Sequence, residues 1–239
     1  MMKESFLTKN LIAHRGLHDG NKTIVENTME AFKLACDKKY IIELDIHILK
    51  DNQIVVFHDD NLKRLTGIDK NISDTTYEEI KNLKLNNMNF FIPKLEEVLE
   101  FVNNRVPIII EIKYDVKGHR LEENLVKILD MYDGEFAIKS FDPFIVKWFK
   151  DNKPNIIRGQ LAAGFKNENI FKRIVLKNML FNFMTKPHFI SYAVADLSFE
   201  KARKIRKNKL LLGWTIRTNE QKEKYINEYD NLICENVLE

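Results

Sequence analysis

The chain is poor in the residues that stabilise secreted proteins or bind zinc. Its 239 residues include only two cysteines, Cys36 and Cys234, and no HExxH or paired-cysteine spacing. Both cysteines lie in apolar sequence surroundings, so we expect buried thiols and no disulfide. Glycine, with 8 residues, and proline, with 5, are also scarce. No Pro/Gly/Ser linker or low-complexity tract divides the chain, which favours a single domain over residues 1–239.

Charge and hydropathy exclude further classes of protein. The 38 basic and 35 acidic residues leave a net charge of +3. Because no basic and aromatic repeat accompanies this small excess, we expect no nucleic-acid partner. No apolar run is long enough to span a bilayer. The first ten residues contain no apolar stretch typical of a signal peptide, so we expect a cytoplasmic protein.

Nine short runs rich in Ile, Val, Leu and Phe are typical of buried strands. They cover residues 11–14, 41–48, 54–58, 107–113, 135–141, 156–161, 188–194, 210–216 and 231–236. Amphipathic helix patterns separate most of them. Asn27 is the predicted N-cap of the first helix, with Glu30 three positions later. Pro93 is the predicted first residue of a helix whose apolar positions run from Leu95 to Val102.

The spacing of these runs indicates the fold class. Only five residues join the runs at 41–48 and 54–58, whereas a parallel crossover needs about a dozen. These two runs must therefore form an antiparallel hairpin. Removing the return strand leaves eight strands with room for helical crossovers, which favours an α/β fold of the (β/α)₈ TIM barrel type. An open doubly wound sheet is the alternative, but no glycine-rich phosphate loop follows any run.

The stretch from about residue 59 to residue 106 is longer than the usual connection between barrel strands. It contains a polar loop, a predicted short helix over residues 76–83 and the helix after Pro93. We interpret it as a small insertion after the second barrel strand that forms one wall of the site.

Polar residues interrupt the apolar runs at four places. These are His14 with Arg15, Glu43 with Asp45, His58 with Asp59, and Glu111 with Lys113. Residues two apart on a strand share one face, so each of the two strand pairs points in one direction. They lie toward the carboxyl ends of their strands, where barrel enzymes place their chemistry.

Three carboxylates in one place, from Glu43, Asp45 and Glu111, repel one another unless a cation binds them. Oxygen ligands suit Mg²⁺ or Ca²⁺. A buried ion pair between Glu111 and Lys113 is the structural alternative.

The other polar residues of the four clusters have chemistry that suits a phosphate. His14 and His58 could be further metal ligands, but histidine titrates near neutral pH and suits proton transfer. Arg15 and Lys113 are suited to holding a phosphate, arginine through its planar fork.

Several short motifs together resemble the glycerophosphodiester phosphodiesterase family. The resemblance begins with HRG at 14–16, ENT at 26–28, ExD at 43–45 and VFHD at 56–59. It continues at 65–67, 92–99, 111–113, 140–141 and 213–215, in the same order along almost the whole chain.

The resemblance implies a (β/α)₈ barrel that hydrolyses a glycerophosphodiester to glycerol 3-phosphate and an alcohol. It implies a general acid–base pair, a divalent metal site, two phosphate-binding residues and a residue that lines the pocket. The implied acid–base pair is His14 and His58, and the implied metal ligands are Glu43, Asp45 and Glu111. Arg15 and Lys113 would bind the phosphate, and Trp214 would line the pocket.

Residues 169–186 have the pattern of a basic helix with a wide apolar face. One interpretation is a covered outer helix of the barrel. The other is peripheral membrane contact, which would change the substrate to a lysophospholipid and the activity to that of a lysophospholipase D. The pattern does not indicate an oligomeric state.

Overall fold

A computed structural model describes residues 3–113, 118–164 and 177–237. All nine predicted strands are confirmed, with bounds within a few residues of those expected. They are β1 (Ile12–Ala13), β2 (Ile41–Ile48), β3 (Ile54–Val56), β4 (Ile108–Ile112), β5 (Phe136–Ser140), β6 (Arg158–Ala162), β7 (Phe189–Ala193), β8 (Leu210–Ile216) and β9 (Asn231–Cys234).

The strands form one sheet in the order β1-β9-β8-β7-β6-β5-β4-β2-β3, and β1 also pairs with β2. The fold is therefore the predicted (β/α)₈ barrel, with β3 as an additional return strand. Strand β3 is antiparallel to β2, with Ile46 opposite Val56. The hairpin turn contains Asn52 in left-handed conformation, at φ 68°.

Nine α-helices and four 3₁₀ turns connect the strands in the described parts of the chain. The helices are α1 (Met29–Asp37), α2 (Lys63–Thr66), α3 (Tyr77–Ile80), α4 (Leu95–Val102), α5 (Arg120–Leu129), α6 (Pro143–Asn152), α7 (Asn182–Thr185), α8 (Phe199–Arg206) and α9 (Asn219–Tyr225). The 3₁₀ turns are Lys3–Thr8, Ile72–Asp74, Leu85–Asn87 and Val194–Asp196. None of the helices in these described ranges is long and apolar enough to cross a bilayer.

The chain forms two compact units. The first comprises Met1–Ile12 and Ala137–Glu239, and the second comprises Ala13–Phe136. In the first unit, the Asn231 side chain at the start of β9 donates hydrogen bonds to the carbonyls of Leu7 and Asn10, both at 2.7 Å. These bonds attach the N-terminal segment to β9. The single domain expected over residues 1–239 stays a prediction.

The insertion after β3 has an apolar core within the second unit. Its buried members come from the insertion, from the hairpin and from the segment before α1. They are Val25, Leu49, Val55, Phe57, Leu62, Leu65, Ile72, Ile80, Leu85 and Ile92. Because Leu62 and Leu65 are buried here, α2 is held against the body of the unit, and its polar residues face outward.

Two helix starts differ from the expected ones. Helix α1 is capped by Thr28, whose hydroxyl accepts a hydrogen bond from the Ala31 amide at 3.4 Å. Asn27 does not act as the cap, because its backbone is left-handed, at φ 55°, and its side-chain nitrogen donates to the Asp45 carboxylate at 2.9 Å. Pro93 lies before α4, since its carbonyl accepts from the Val56 amide at 2.9 Å and this contact extends the β3 region.

The structure confirms the expectation about the cysteines, whereas it describes only part of the basic segment. Cys36 and Cys234 are free and buried, as expected. The segment predicted as a basic helix, 169–186, lies partly outside the described residues, which omit 165–176. Its described end contains α7.

Candidate active site

The carboxylates of β2 and β4 meet because of the strand register. In the parallel pairing of these strands Asp45 lies opposite Glu111, and Glu43 lies two residues before Asp45 on the same face. All three side chains are buried. One oxygen of each lies within 4.8 Å of one oxygen of the others. This arrangement is compatible with a divalent cation held by oxygen ligands.

Two cations lie against this acidic cluster, which we define as Glu43, Asp45 and Glu111. The Lys113 Nζ is 2.8 Å from Asp45 Oδ1 and 2.5 Å from Glu111 Oε1. The Arg15 Nε is 3.4 Å from Asp45 Oδ2. The predicted ion pair between Glu111 and Lys113 is therefore present, next to the acidic cluster.

The cations determine the ionisation of Asp45. Burial alone would raise its pKa, but the charges of Lys113 and Arg15, followed by those of His58 and His14, lower the pKa well below its usual range. Burial would likewise lower the Lys113 pKa, but Asp45 and Glu111 raise it above its usual value. Asp45 and Lys113 are therefore both charged at neutral pH. Counted with their ordinary charges, the three carboxylates and the two cations sum to a formal charge of −1.

The loop after β1 contacts the cluster through its backbone. The amide of Arg15 donates to Glu43 Oε2 at 3.0 Å, and the amide of Gly16 donates to the Glu43 carbonyl at 3.2 Å. Both residues have positive φ, 55° for Arg15 and 78° for Gly16. A glycine is needed at position 16 because a Cβ there would lie 2.9 Å from the Ala31 Cβ.

Of the two histidines predicted for proton transfer, His14 lies at the edge of the acidic cluster and His58 pairs with Asp59. The Nε2 of His14 is 3.9 Å from Glu43 Oε2. The Nδ1 of His58 contacts Asp59 Oδ1 at 2.6 Å. His47, on β2, contacts the His58 carbonyl through Nε2 at 3.2 Å. Because a carbonyl only accepts, His47 carries its proton on Nε2.

A second layer of charged residues links these groups, and the sequence alone does not predict it as a unit. The Glu26 carboxylate accepts from Arg15 Nη1 at 2.7 Å and from Asn21 Nδ2 at 2.6 Å. Arg64, on α2, binds both Glu26 and Asp59. Glu26 and Asp59 fall within the sequence motifs, but nothing in the pattern around Arg64 marks it as part of a site.

Trp214 is the predicted site residue that lies in the first unit. It is half-buried on β8, and its ring meets the Phe141 ring edge-on at 5.7 Å between centroids. Its assignment to the pocket stays a prediction.

The chain was compared with known proteins. The model of the Glycerophosphoryl diester phosphodiesterase family matches residues 14–233. The lysophospholipase D GDPD1 of Homo sapiens is 38% identical over 149 residues, which cover 56% of this chain and 44% of that protein. The glycerophosphodiester phosphodiesterase of Caldanaerobacter subterraneus subsp. tengcongensis is 35% identical over 163 residues, covering 63% of this chain and 65% of that one.

A solved structure shows the same fold. It is that of an Oleispira antarctica phosphodiesterase in complex with the product sn-glycerol-3-phosphate, with a TM-score of 0.81 and 22% identity. The match covers 97% of this chain and 94% of that one. By contrast, the chain spans about half the length of the mammalian lysophospholipase D relatives that it matches.

Proposed function

Since this chain belongs to the glycerophosphoryl diester phosphodiesterase family, we propose that it hydrolyses glycerophosphodiesters to glycerol 3-phosphate and an alcohol. The observation that carries the proposal is the convergence of three buried carboxylates with Arg15 and Lys113 at the ends of β2 and β4. A phosphodiester is an anion, so the three carboxylates would repel it. Arg15 and Lys113 can bind it only if a further positive charge neutralises the acidic cluster.

The acidic cluster fits a divalent metal ion. Glu43, Asp45 and Glu111 would hold Mg²⁺ or Ca²⁺, because all their donors are carboxylate oxygens. The formal charge of the cluster with Arg15 and Lys113 is −1, so one divalent cation and one phosphodiester bring the sum to zero. When bound, the cation supplies positive charge that stabilises the oxygens on phosphorus.

Arg15 and Lys113 would hold the phosphate. Arg15 uses Nη1 for Glu26 and directs Nε toward Asp45, so Nη2 would be the donor for phosphate oxygens. Lys113 is fixed between Asp45 and Glu111, which keeps its ammonium charged and in place as the phosphate enters. Both cations would stabilise the negative charge that develops on phosphorus.

His14 and His58 would transfer the protons. The reaction needs one group that takes a proton from the attacking oxygen and one that gives a proton to the leaving alcohol. Asp59 holds the Nδ1 side of the His58 ring, which leaves Nε2 for the reacting atoms. The Nε2 of His14 lies 3.9 Å from Glu43 Oε2, so the His14 imidazole borders the acidic cluster.

The proposal is tested by the release of glycerol 3-phosphate from glycerophosphocholine. We expect hydrolysis with added Mg²⁺ or Ca²⁺ and its loss with a chelator. His14→Ala and His58→Ala should each lower kcat by about 100-fold or more, the usual range for a general acid or base. His119→Ala is the matched control, because His119 is exposed and its ring pairs with Glu122, three residues along the chain. Full activity in either site variant would contradict the two-histidine assignment.

A second candidate substrate is a lysophospholipid at a membrane surface. The human relative is named a lysophospholipase D. In the first unit, large apolar side chains are exposed near α6 and α7: Phe144 at 57%, Leu180 at 52% and Phe183 at 78%. The rings of Phe144 and Phe181 lie 5.8 Å apart. We call Phe144, Leu180, Phe181 and Phe183 the aromatic patch; Lys177 and Lys186 flank its α7 part in the sequence.

Vesicle binding distinguishes the two candidate substrates. If the aromatic patch contacts lipid, sedimentation with phosphatidylglycerol vesicles should fall several-fold in Leu180→Asp/Phe183→Asp. Ile226→Asp changes an exposed apolar residue of the same unit outside the patch and should bind as the wild type does. Equal sedimentation of all three proteins would favour the water-soluble diester.

A further inference from the structure

The Arg64 guanidinium is held between two carboxylates. Its Nε is 2.5 Å from Asp59 Oδ2 and its Nη2 is 3.2 Å from Asp59 Oδ1. On the other side, Nη2 is 2.6 Å from Glu26 Oε1 and Nη1 is 3.1 Å from Glu26 Oε2. Such fork-shaped contacts fix the direction of a carboxylate as well as its position. Arg64 thus determines the orientation of both acidic side chains.

Each of these carboxylates in turn holds a residue of the proposed site. Asp59 Oδ1 contacts the Nδ1 of His58 at 2.6 Å. Glu26 Oε1 accepts from Arg15 Nη1 at 2.7 Å. Among the described residues Arg64 hydrogen-bonds to Asp59 and Glu26 and not to His58 or Arg15, so its hydrogen-bonded connection to those two residues passes through the two carboxylates.

The contact with Asp59 defines the reactive nitrogen of His58. An ionised carboxylate only accepts hydrogen bonds, so the neutral His58 ring carries its proton on Nδ1 and has its lone pair on Nε2. The His58 side chain is about one-third exposed, so packing alone does not fix the ring. The direction of the Asp59 carboxylate does, and Arg64 sets that direction.

We propose that Arg64 is a positioning residue that holds Asp59 and Glu26 so that His58 and Arg15 keep their working orientations together. This inference rests on the proposed function, which gives His58 the proton transfer and Arg15 the phosphate. Lysine cannot replace Arg64, because a single ammonium cannot make fork-shaped contacts with two carboxylates at once.

Kinetics provide the first test. Arg64→Ala should lower kcat at least tenfold through His58 and raise KM several-fold through Arg15. Arg64→Lys should show most of both effects. Lys63→Ala is the matched control, because it removes a cation of the same helix that pairs with Asp69 at the surface. Its kcat and KM should remain within twofold of the wild-type values. Millimolar guanidinium chloride should restore part of the Arg64→Ala activity and none of the His58→Ala activity.

The His58 tautomer provides a readout that does not depend on activity. In ¹H–¹⁵N correlation spectra of the histidine rings above pH 7.5, assigned with His58→Gln, the wild type should show the Nδ1–H form. Arg64→Ala should show a mixture with the Nε2–H form, while His119 stays unchanged. A wild type that hydrolyses no glycerophosphodiester would overturn the proposed function, and the tautomer would still decide the role of Arg64.

Two results would overturn the inference. One is a folded Arg64→Ala protein with the kcat, KM and His58 tautomer of wild type. The other applies if Arg64→Ala does not fold. In that case Arg64→Lys decides, and the kcat, KM and His58 tautomer of wild type in that variant would overturn the inference.

Discussion

At the scale of the residue, Glu26 is a buried carboxylate that links Arg15, Arg64 and Asn21. Burial would raise its pKa, but the hydrogen bond from Arg64 and the charge of Arg15 outweigh it and lower the pKa of Glu26 to about 2, from 4.5. Because the folded-state pKa lies below the unfolded value, ionised Glu26 stabilises the fold by about 3 kcal/mol above pH 4.5. This contribution is lost as the pH falls from about 4.5 toward 2.

Glu26→Gln should therefore be less stable than wild type at pH 7, and the difference in unfolding free energy should shrink steadily below pH 4.5. Urea unfolding at several pH values between 7 and 3.5 measures it. The control is Glu78→Gln, since Glu78 pairs with Lys81 at the surface and should cost less than about 0.5 kcal/mol at any of these pH values. A difference for Glu26→Gln that does not change with pH would contradict the argument.

Single residues also show where sequence reasoning succeeds and fails. The positions of Glu43, Asp45, Glu111 and Lys113 follow from the two-residue period of strands, and the register of β2 and β4 brings them together. The contact between Glu26 and Arg64 joins residues 38 apart that lie outside any strand. No periodicity relates two such positions, so only the folded insertion reveals their pairing.

At the scale of the element, the turn after β1 depends on its close packing against α1. Gly16, at φ +78°, would place a Cβ 2.9 Å from the Ala31 Cβ and 3.0 Å from the Ala31 carbonyl carbon. Gly67 ends α2 with nearly the same φ, +77°, and has nothing within 4 Å of an added Cβ. Alanine substitutions at these two glycines therefore separate the stability cost of left-handed backbone strain from that of steric overlap.

Gly67→Ala should cost about 1 kcal/mol of stability, from left-handed strain alone. Gly16→Ala should cost about 1–3 kcal/mol more, because the overlap involves backbone that cannot move freely. Gly16→Ala should also lower kcat, since the amides of Arg15 and Gly16 both bind Glu43. Chemical unfolding and glycerol 3-phosphate release measure the two effects. Equal stability losses at the two positions would show that α1 adapts to the extra methyl group.

Element boundaries were predicted less well than the elements themselves. The nine strands and the β2–β3 hairpin follow from apolar runs and loop lengths. The predicted N-cap of α1 was wrong by one residue. Asn27 and Thr28 both have side chains that suit a cap, but the Asn27 side chain contacts Asp45 instead. Local propensity cannot determine which of two adjacent caps is drawn into a site.

At the scale of the whole molecule, a cation held by the acidic cluster would couple metal binding to folding. Its ligands come from two strands, β2 and β4, and the order of Glu43, Asp45 and Glu111 in space exists only when those strands pair. An unfolded chain therefore lacks the site. A cation that binds the native state alone stabilises it, by about 2.7 kcal/mol at a concentration of 100 Kd.

For a chain of this length, about 2.7 kcal/mol corresponds to a rise in Tm of roughly 5–10 °C. We expect that rise when Mg²⁺ or Ca²⁺ is titrated into the wild type after chelator treatment, measured by calorimetry. Asp45→Asn should show little or no rise, because it removes the charge of one of the three buried ligands. Glu78→Gln should match the wild type, since Glu78 lies at the surface. If Asp45→Asn gained as much in Tm as the wild type, the stabilising cation would bind elsewhere, and Arg15 and Lys113 would be the only cations at the acidic cluster among the described residues.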